Sequence, residues 1–251
     1  MHYVFRSLPC ALQSKTGKDC SKQFPELMVP QLEAQESVLD GEITILTGGK
    51  PDFEGVMERY LASERKVASL VHSKPSVYIV WDILWLDGRQ VMDRPLLERK
   101  KLLDKVLGDK AEVRKIDWVD TEGLALWEAV KEHGLEGMVA KKKNSRYVPG
   151  QRSAAWLKIK NYQEATANVF GYSRKDGGVL VGTGARVQSH AIGMSAVDRA
   201  ALWELLDEYG TEKGENILLP PGIQGKVKFT TWSPRGVMRD CCWVGFLLDR
   251  E

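Results

Sequence analysis

The sequence predicts an α+β chain in two parts: mixed helices and strands first, then a small strand-rich barrel around one helix. Two observations lead there. Up to about residue 160, stretches of apolar residues alternate between steps of two and steps of three or four. After Asn161, short strand-like segments punctuated by glycine take over, and a single helical pattern interrupts them. A third observation concerns charge. The net charge is only +2, yet residues 141–160 hold seven Lys or Arg and no acid. That run also carries Tyr147 and Trp156, so it suits a polyanion, phosphate above all, better than a plain solvated loop.

The elements follow in order. In VLDGEITIL the strand period puts Asp40, Glu42 and Thr44 on one face, with Leu39, Ile43 and Ile45 on the other. Asp52 is a good N-cap for a helix running to about His72, with Phe53, Val56, Met57, Tyr60 and Leu61 along its apolar stripe. Residues 77–86 are apolar on both faces and predict a central buried strand. Asp82 is its one charge, and burial there is costly unless the carboxylate is paired. Trp81 and Trp85 share a face of that strand, either as core residues or as a surface on which a base could stack.

Pro95 can open a second helix carrying Leu96, Leu97, Leu103 and Val106, which stops near Gly108. A third helix runs from Asp120 or Thr121 to Gly134. Glu136 then opens a strand, EGMVAKK, and could hold a divalent metal. On a regular strand Glu136 and Lys141 point to opposite faces. In AWLKIK, Lys158 and Lys160 share a face with stems about 6.5–7 Å apart. Two such charges repel by roughly 2 kcal/mol at an effective dielectric near 20, and by about 0.6 in water. Lining a cleft, the pair calls for an anion between the ammonium groups.

Beyond residue 162 the strand candidates are 167–172, 178–184, 226–232 and 241–248. Ser195 and Asp198 form a capping box for a helix with Leu202, Leu205, Leu206 and Tyr209, ended by Gly210. Several short strands around one helix in about 90 residues suit an OB-fold. The expected domains are therefore 1–162 and 163–251.

Composition excludes several classes. An apolar content of 43% with 28% charged residues fits a globular chain, and no apolar run approaches the roughly 20 residues of a membrane span. The first residues do not read as a secretory signal. Cys10, Cys20, Cys241 and Cys242 form no Cys-x-x-Cys pair and have no histidine near them, so a zinc site is not expected and reduced cytoplasmic thiols are.

Five blocks stand in a fixed order: LQSKTGKDCSKQFPEL (12–27), VLDGEI (38–43), VYIVWDILWLDG (77–88), EGMVAKK (136–142) and AWLKIK (155–160). Together they resemble the covalent nucleotidyltransferase superfamily, and specifically ATP-dependent DNA ligases of the bacterial repair type. The FPEL block argues against an RNA ligase or capping enzyme, and residues 217–246 resemble the OB-domain end of such ligases. The resemblance implies a nucleotidyltransferase (adenylation) domain of antiparallel sheets with helices, followed by an OB-fold. It also implies a monomeric cytoplasmic enzyme that uses ATP and Mg²⁺ (or Mn²⁺) on nicked double-stranded DNA, in repair and recombination.

The same resemblance assigns roles. Lys158 and Lys160 would hold the α-phosphate, and Glu136 would take part in catalysis and hold the metal. Glu42 would contact the ribose or metal, Trp81 would stack on adenine, and Lys141 would bind the nucleotide. Lys15 would approach the nick phosphate, and Arg152 and Arg239 would contact DNA.

Three departures from the family pattern stand out. No Lys-x-Asp-Gly, the block that carries the AMP-accepting lysine, occurs in the 251 residues, and the expectation is that the strand bearing it is missing rather than mutated. Lys15 stands where arginine is usual, which forgoes a bidentate grip on phosphate. MRDCCWVGF replaces a Leu-Arg-His-Pro-like stretch. The alternative function is a catalytically inactive ligase descendant that binds DNA or nucleotide.

Overall fold

The computed structural model describes residues 2–7, 10–28, 32–108 and 111–247. Its contacts divide the chain into two units, residues 1–121 with 140–157 and residues 122–139 with 158–251. The expected boundary near 162 is a single cut, whereas the contacts assign the 122–139 segment to the second unit.

The first unit is built on a mixed sheet. Strand β1 (His2–Ser7) lies between β2 (Cys10–Ser14) and β3 (Ser37–Thr47), and β3 pairs antiparallel with β5 (Ser76–Leu86). Short strands extend it: β4 (Lys50–Pro51) on β3, β6 (Arg89–Gln90) on β5, and β7 (Val113–Lys115) parallel to β5. The sequence pattern assigns no element to residues 2–7, and it is the pairing with β2 and β3 that defines β1. Leu12, Phe24, Leu39, Ile43, Tyr78, Val80 and Ile83 form the core between this sheet and its covering helices.

The expected alternation in VLDGEI fails at one point. Asp40 is 5% exposed and Glu42 lies in solvent, although period two places them on one face. The register against β5 slips between Asp40 and Gly41, and this bulge turns the two carboxylates apart. Gly41 is there for space: a Cβ would sit 2.4 Å from the Ile79 carbonyl oxygen and 2.9 Å from the Tyr78 ring.

The single helix expected from Asp52 to His72 is two, α1 (Phe53–Leu61) and α2 (Glu64–Ser73). Asp52 does cap α1, accepting from the Gly55 amide at 2.8 Å. The break has a physical cause in Arg59, which is fully buried and donates to the carbonyls of Leu70 (3.5 Å) and Lys74 (2.9 Å). In one straight helix those carbonyls would lie about 16 and 22 Å along the axis. Arg59 also takes the inner face assigned to the apolar stripe: Val56 is buried beside it, while Phe53 and Leu61 are exposed.

Helix α3 (Leu96–Val106) packs on β5 with Leu96, Leu103 and Val106 buried as expected. Helix α4 (Gly123–Glu132) begins one turn later than Asp120 and belongs to the second unit. The paired strands β8 (Gly137–Lys141) and β9 (Trp156–Lys160) carry the chain from one unit to the other.

Besides α4, the second unit contains the small barrel. Strand β10 (Gln163–Ser173) pairs with β11 (Gly178–Gly182), which pairs with β12 (Ser189–Ala191). Helix α5 (Ala196–Tyr209) follows, capped by Ser195 on the Asp198 amide and buried through Leu202 and Leu206. A hairpin of β13 (Thr211–Lys213) and β14 (Asn216–Leu218) adds to the far end of β10. Strand β15 (Gln224–Phe229) pairs with the near end of β10, then β16 (Thr231–Trp232) and β17 (Met238–Arg239) form a hairpin, and β18 (Cys242–Phe246) pairs with β15. A parallel bridge between Ile192 and Cys242 joins the end of β12 to β18. That closes a ring of five strands, β12-β11-β10-β15-β18, which is the OB-fold architecture. The last residue of the expected strand 241–248, Leu248, lies outside the described residues.

Candidate active site

Asp82 has the partner its burial demanded. Arg99 Nε lies 2.7 Å from Oδ1 and Nη2 lies 3.0 Å from Oδ2, with both side chains closed to solvent. The guanidinium also donates to the carbonyls of Arg94 and Ser145. Across the strand pair Asp40 stands opposite Asp82, and two carboxylates in that position repel unless each is neutralised or hydrogen-bonded. Asp40 Oδ2 accepts from Trp81 Nε1 and from the Tyr147 hydroxyl, each at 2.8 Å. Burial and the adjoining Asp40 raise the Tyr147 hydroxyl pKa, so this phenol remains a donor.

The network continues through rings. Arg99 sits 5.9 Å from the Tyr147 ring centre, and Tyr147 meets Trp156 edge-on at 5.4 Å. Lys141 Nζ lies 3.6 Å over the Trp156 ring. Burial pushes the Lys141 ammonium down to about 8; Lys100 and Arg99 push the same way, and Asp82 and Asp40 oppose them. Trp81 and Lys141, two of the expected nucleotide residues, therefore share one polar and aromatic network in the first unit. Trp81 is neither a pure core residue nor a loose ring, because its indole N–H is tied to Asp40. Trp85 is held in the same way by Glu36, at 2.9 Å.

The second unit holds the other group. Glu136 stands just before β8, with its Oε1 3.8 Å from Lys158 Nζ and both side chains more than half exposed. The following residue, Gly137, has φ +151°, and a Cβ there would sit 2.1 Å from the Ile159 carbonyl oxygen. Only glycine lets β8 start this close to β9, which is what brings Glu136 beside Lys158. Lys160 Nζ lies 2.7 Å from Asp240 Oδ2. Burial alone would lower the Lys160 pKa, but Asp240 leaves it raised, and the hydrogen bond from Lys160 holds Asp240 below the ordinary carboxylate value. The two lysines thus meet carboxylates, Glu136 and Asp240, where the sequence led to an anion between them.

Glu42 is exposed on β3, Lys15 in the turn after β2, and Arg152 in the loop between β8 and β9, while Arg239 is half-buried on β17. Sequence reasoning missed Arg99 and Asp240. Arg99 could have been found as the cation needed by Asp82, on the helix expected to pack over that strand. Asp240 carries no comparable signal.

The matching family model is that of the ATP dependent DNA ligase domain, over residues 8–160. The SPbeta prophage-derived DNA ligase-like protein LigB of Bacillus subtilis is 38% identical over 167 residues, covering 66% of this chain and 58% of that protein. The bifunctional non-homologous end joining protein LigD of the same organism is 29% identical over 262 residues, covering 94% of this chain and 42% of that protein. The chain thus spans less than two thirds of the length of these relatives. A solved structure of a Lig E DNA ligase superposes with a TM-score of 0.66 at 17% identity, covering 98% of this chain and 92% of the other, and shares the fold. With the family match over more than half of its residues, the chain belongs to the ATP-dependent DNA ligase domain family.

Proposed function

We propose that this chain is the nucleotidyltransferase and OB-fold part of an ATP-dependent DNA ligase. It joins 3′-hydroxyl and 5′-phosphate ends at nicks through AMP intermediates, as a cytoplasmic monomer in repair and recombination. The adenylation domain is residues 1–162 and the OB domain 163–251. The observation that carries this reading is the placement of Glu136, Lys158 and Lys160 at one strand end, in a chain whose 8–160 segment matches the ligase family.

Lys158 and Lys160 neutralise phosphate oxygens, Lys141 and Trp81 hold the nucleotide, and Lys15, Arg152 and Arg239 meet DNA phosphates. Among the described residues no group of three His, Cys, Asp or Glu could cage a metal ion. Glu136 in the second unit and Glu42 in the first are each exposed, and either would suit a Mg²⁺ bound by one carboxylate together with substrate phosphate, where the ion would neutralise charge on that phosphate. In the sealing step the 3′-hydroxyl oxygen bonds to the adenylated 5′-phosphate, the bond to AMP breaks, and the hydroxyl proton passes to solvent. The first step needs a lysine acceptor, and the 251 residues contain no Lys-x-Asp-Gly.

The test is sealing of a pre-adenylated nicked duplex. The expected result is Mg²⁺-dependent sealing that falls by roughly 10²-fold in Lys158→Ala or Lys160→Ala, with no protein–AMP adduct from labelled ATP. Absence of sealing with Mg²⁺ or Mn²⁺ would overturn the reading. Binding of nicked DNA without sealing would then identify a ligase-derived binding protein.

A further inference from the structure

The two lysines of β9 are not equivalent. Lys158 and Glu136 stand 3.8 Å apart, with side chains 65% and 58% exposed. Lys160 is 23% exposed and hydrogen-bonded to Asp240 at 2.7 Å. Behind Asp240 the hydroxyl of Thr230, 3% exposed, lies 3.3 Å from the Arg239 carbonyl and 3.4 Å from the same Oδ2. The backbone of Asp240 is left-handed, φ +51°, in the turn between β17 and β18. That conformation is uncommon for a residue with a side chain, although Asp and Asn tolerate it best. Lys160 and Lys228 both face the Tyr162 ring, at 5.9 and 5.1 Å, so further positive charge adjoins the pair.

We propose that Asp240 is a specificity-determining residue: it occupies Lys160 with one negative charge, so that only a phosphate group of higher charge displaces it. The inference rests on the reading of Lys160 as a phosphate-holding residue. A phosphodiester within an unbroken strand carries one charge and gains nothing over the carboxylate already present. A terminal phosphate monoester or a polyphosphate carries two or more and wins the exchange. Asp240 thereby screens Lys160 from ordinary DNA backbone and reserves it for a strand end or a nucleotide. Lys158, loosely paired and exposed, has no such filter.

The experiment follows the Lys160 side-chain resonances by NMR in the full chain during titration with pyrophosphate and, separately, with a thymidine dinucleotide carrying one phosphodiester. In the native protein Lys160 responds to pyrophosphate at much lower concentration than to the dinucleotide. In Asp240→Asn, whose amide keeps the shape and tolerates the left-handed turn, the two concentrations draw closer. The preference for pyrophosphate then falls about fivefold, the upper worth of one partly exposed ion pair. Equal response of native Lys160 to the two probes, or an unchanged preference in Asp240→Asn, overturns the proposal. Neither probe requires bond formation, so failure of the sealing assay leaves this result independent.

Discussion

Arg99 straddles Asp82 with two parallel hydrogen bonds, 2.7 and 3.0 Å, and neither side chain reaches solvent. Two charges removed from water are tolerable only as a pair, so losing one member strands the other. Asp82→Asn or Arg99→Met is expected to lower unfolding stability by about 3–5 kcal/mol. The joint variant Asp82→Leu with Arg99→Met is expected to regain more than half of that loss. Urea unfolding at pH 7 measures all three, and a joint variant no better than the singles would contradict a paired role.

Lys141 gives stability a distinct pH dependence. Its folded pKa of about 8 lies below the ordinary 10.5. Between those values the unfolded chain holds the proton and the folded chain does not, so this residue makes stability rise with pH across that window. Below about pH 8 the ammonium is charged in both states and its burial weighs against folding. Lys141→Met is therefore expected to be at least as stable as the native protein at pH 7, and the difference between them narrows by pH 10. Urea midpoints at the two pH values test the sign, and a widening difference would refute it.

Glu26 works in the opposite direction. Burial pushes its pKa up, but hydrogen bonds from Arg59 and Ser76 more than offset this and leave it below the ordinary 4.5. Its contribution is complete above the unfolded carboxylate value and is lost as pH falls through the lowered folded value. Glu26→Gln is expected to lower the urea midpoint at pH 7, with the gap from native protein shrinking as pH drops toward 3. A gap independent of pH would mean that packing, not charge, sets the effect.

The sequence made the strand of residues 77–86 legible because it is apolar throughout, and it showed that Asp82 required a partner. The caps at Asp52 and Ser195 were equally plain, since their side chains act within three residues. What the sequence hid depends on distant groups. The split between α1 and α2 follows from carbonyls that Arg59 reaches only after the chain folds back. The burial of Asp40 follows from a bulge defined by its partner strand. Lys160 was found by spacing, but its carboxylate lies 80 residues away in a turn without a distinguishing pattern.

The opposition of Asp40 and Asp82 has a consequence for how the first unit assembles. Pairing β3 with β5 brings two carboxylates together, and Trp81 on β5 itself supplies Asp40 with one donor. Relief comes from Arg99 on α3 and from Tyr147, 107 residues after Asp40. Full neutralisation of the two carboxylates therefore requires these later segments. The stability of the central sheet is thereby tied to contacts of long sequence separation, the kind whose loop entropy slows folding.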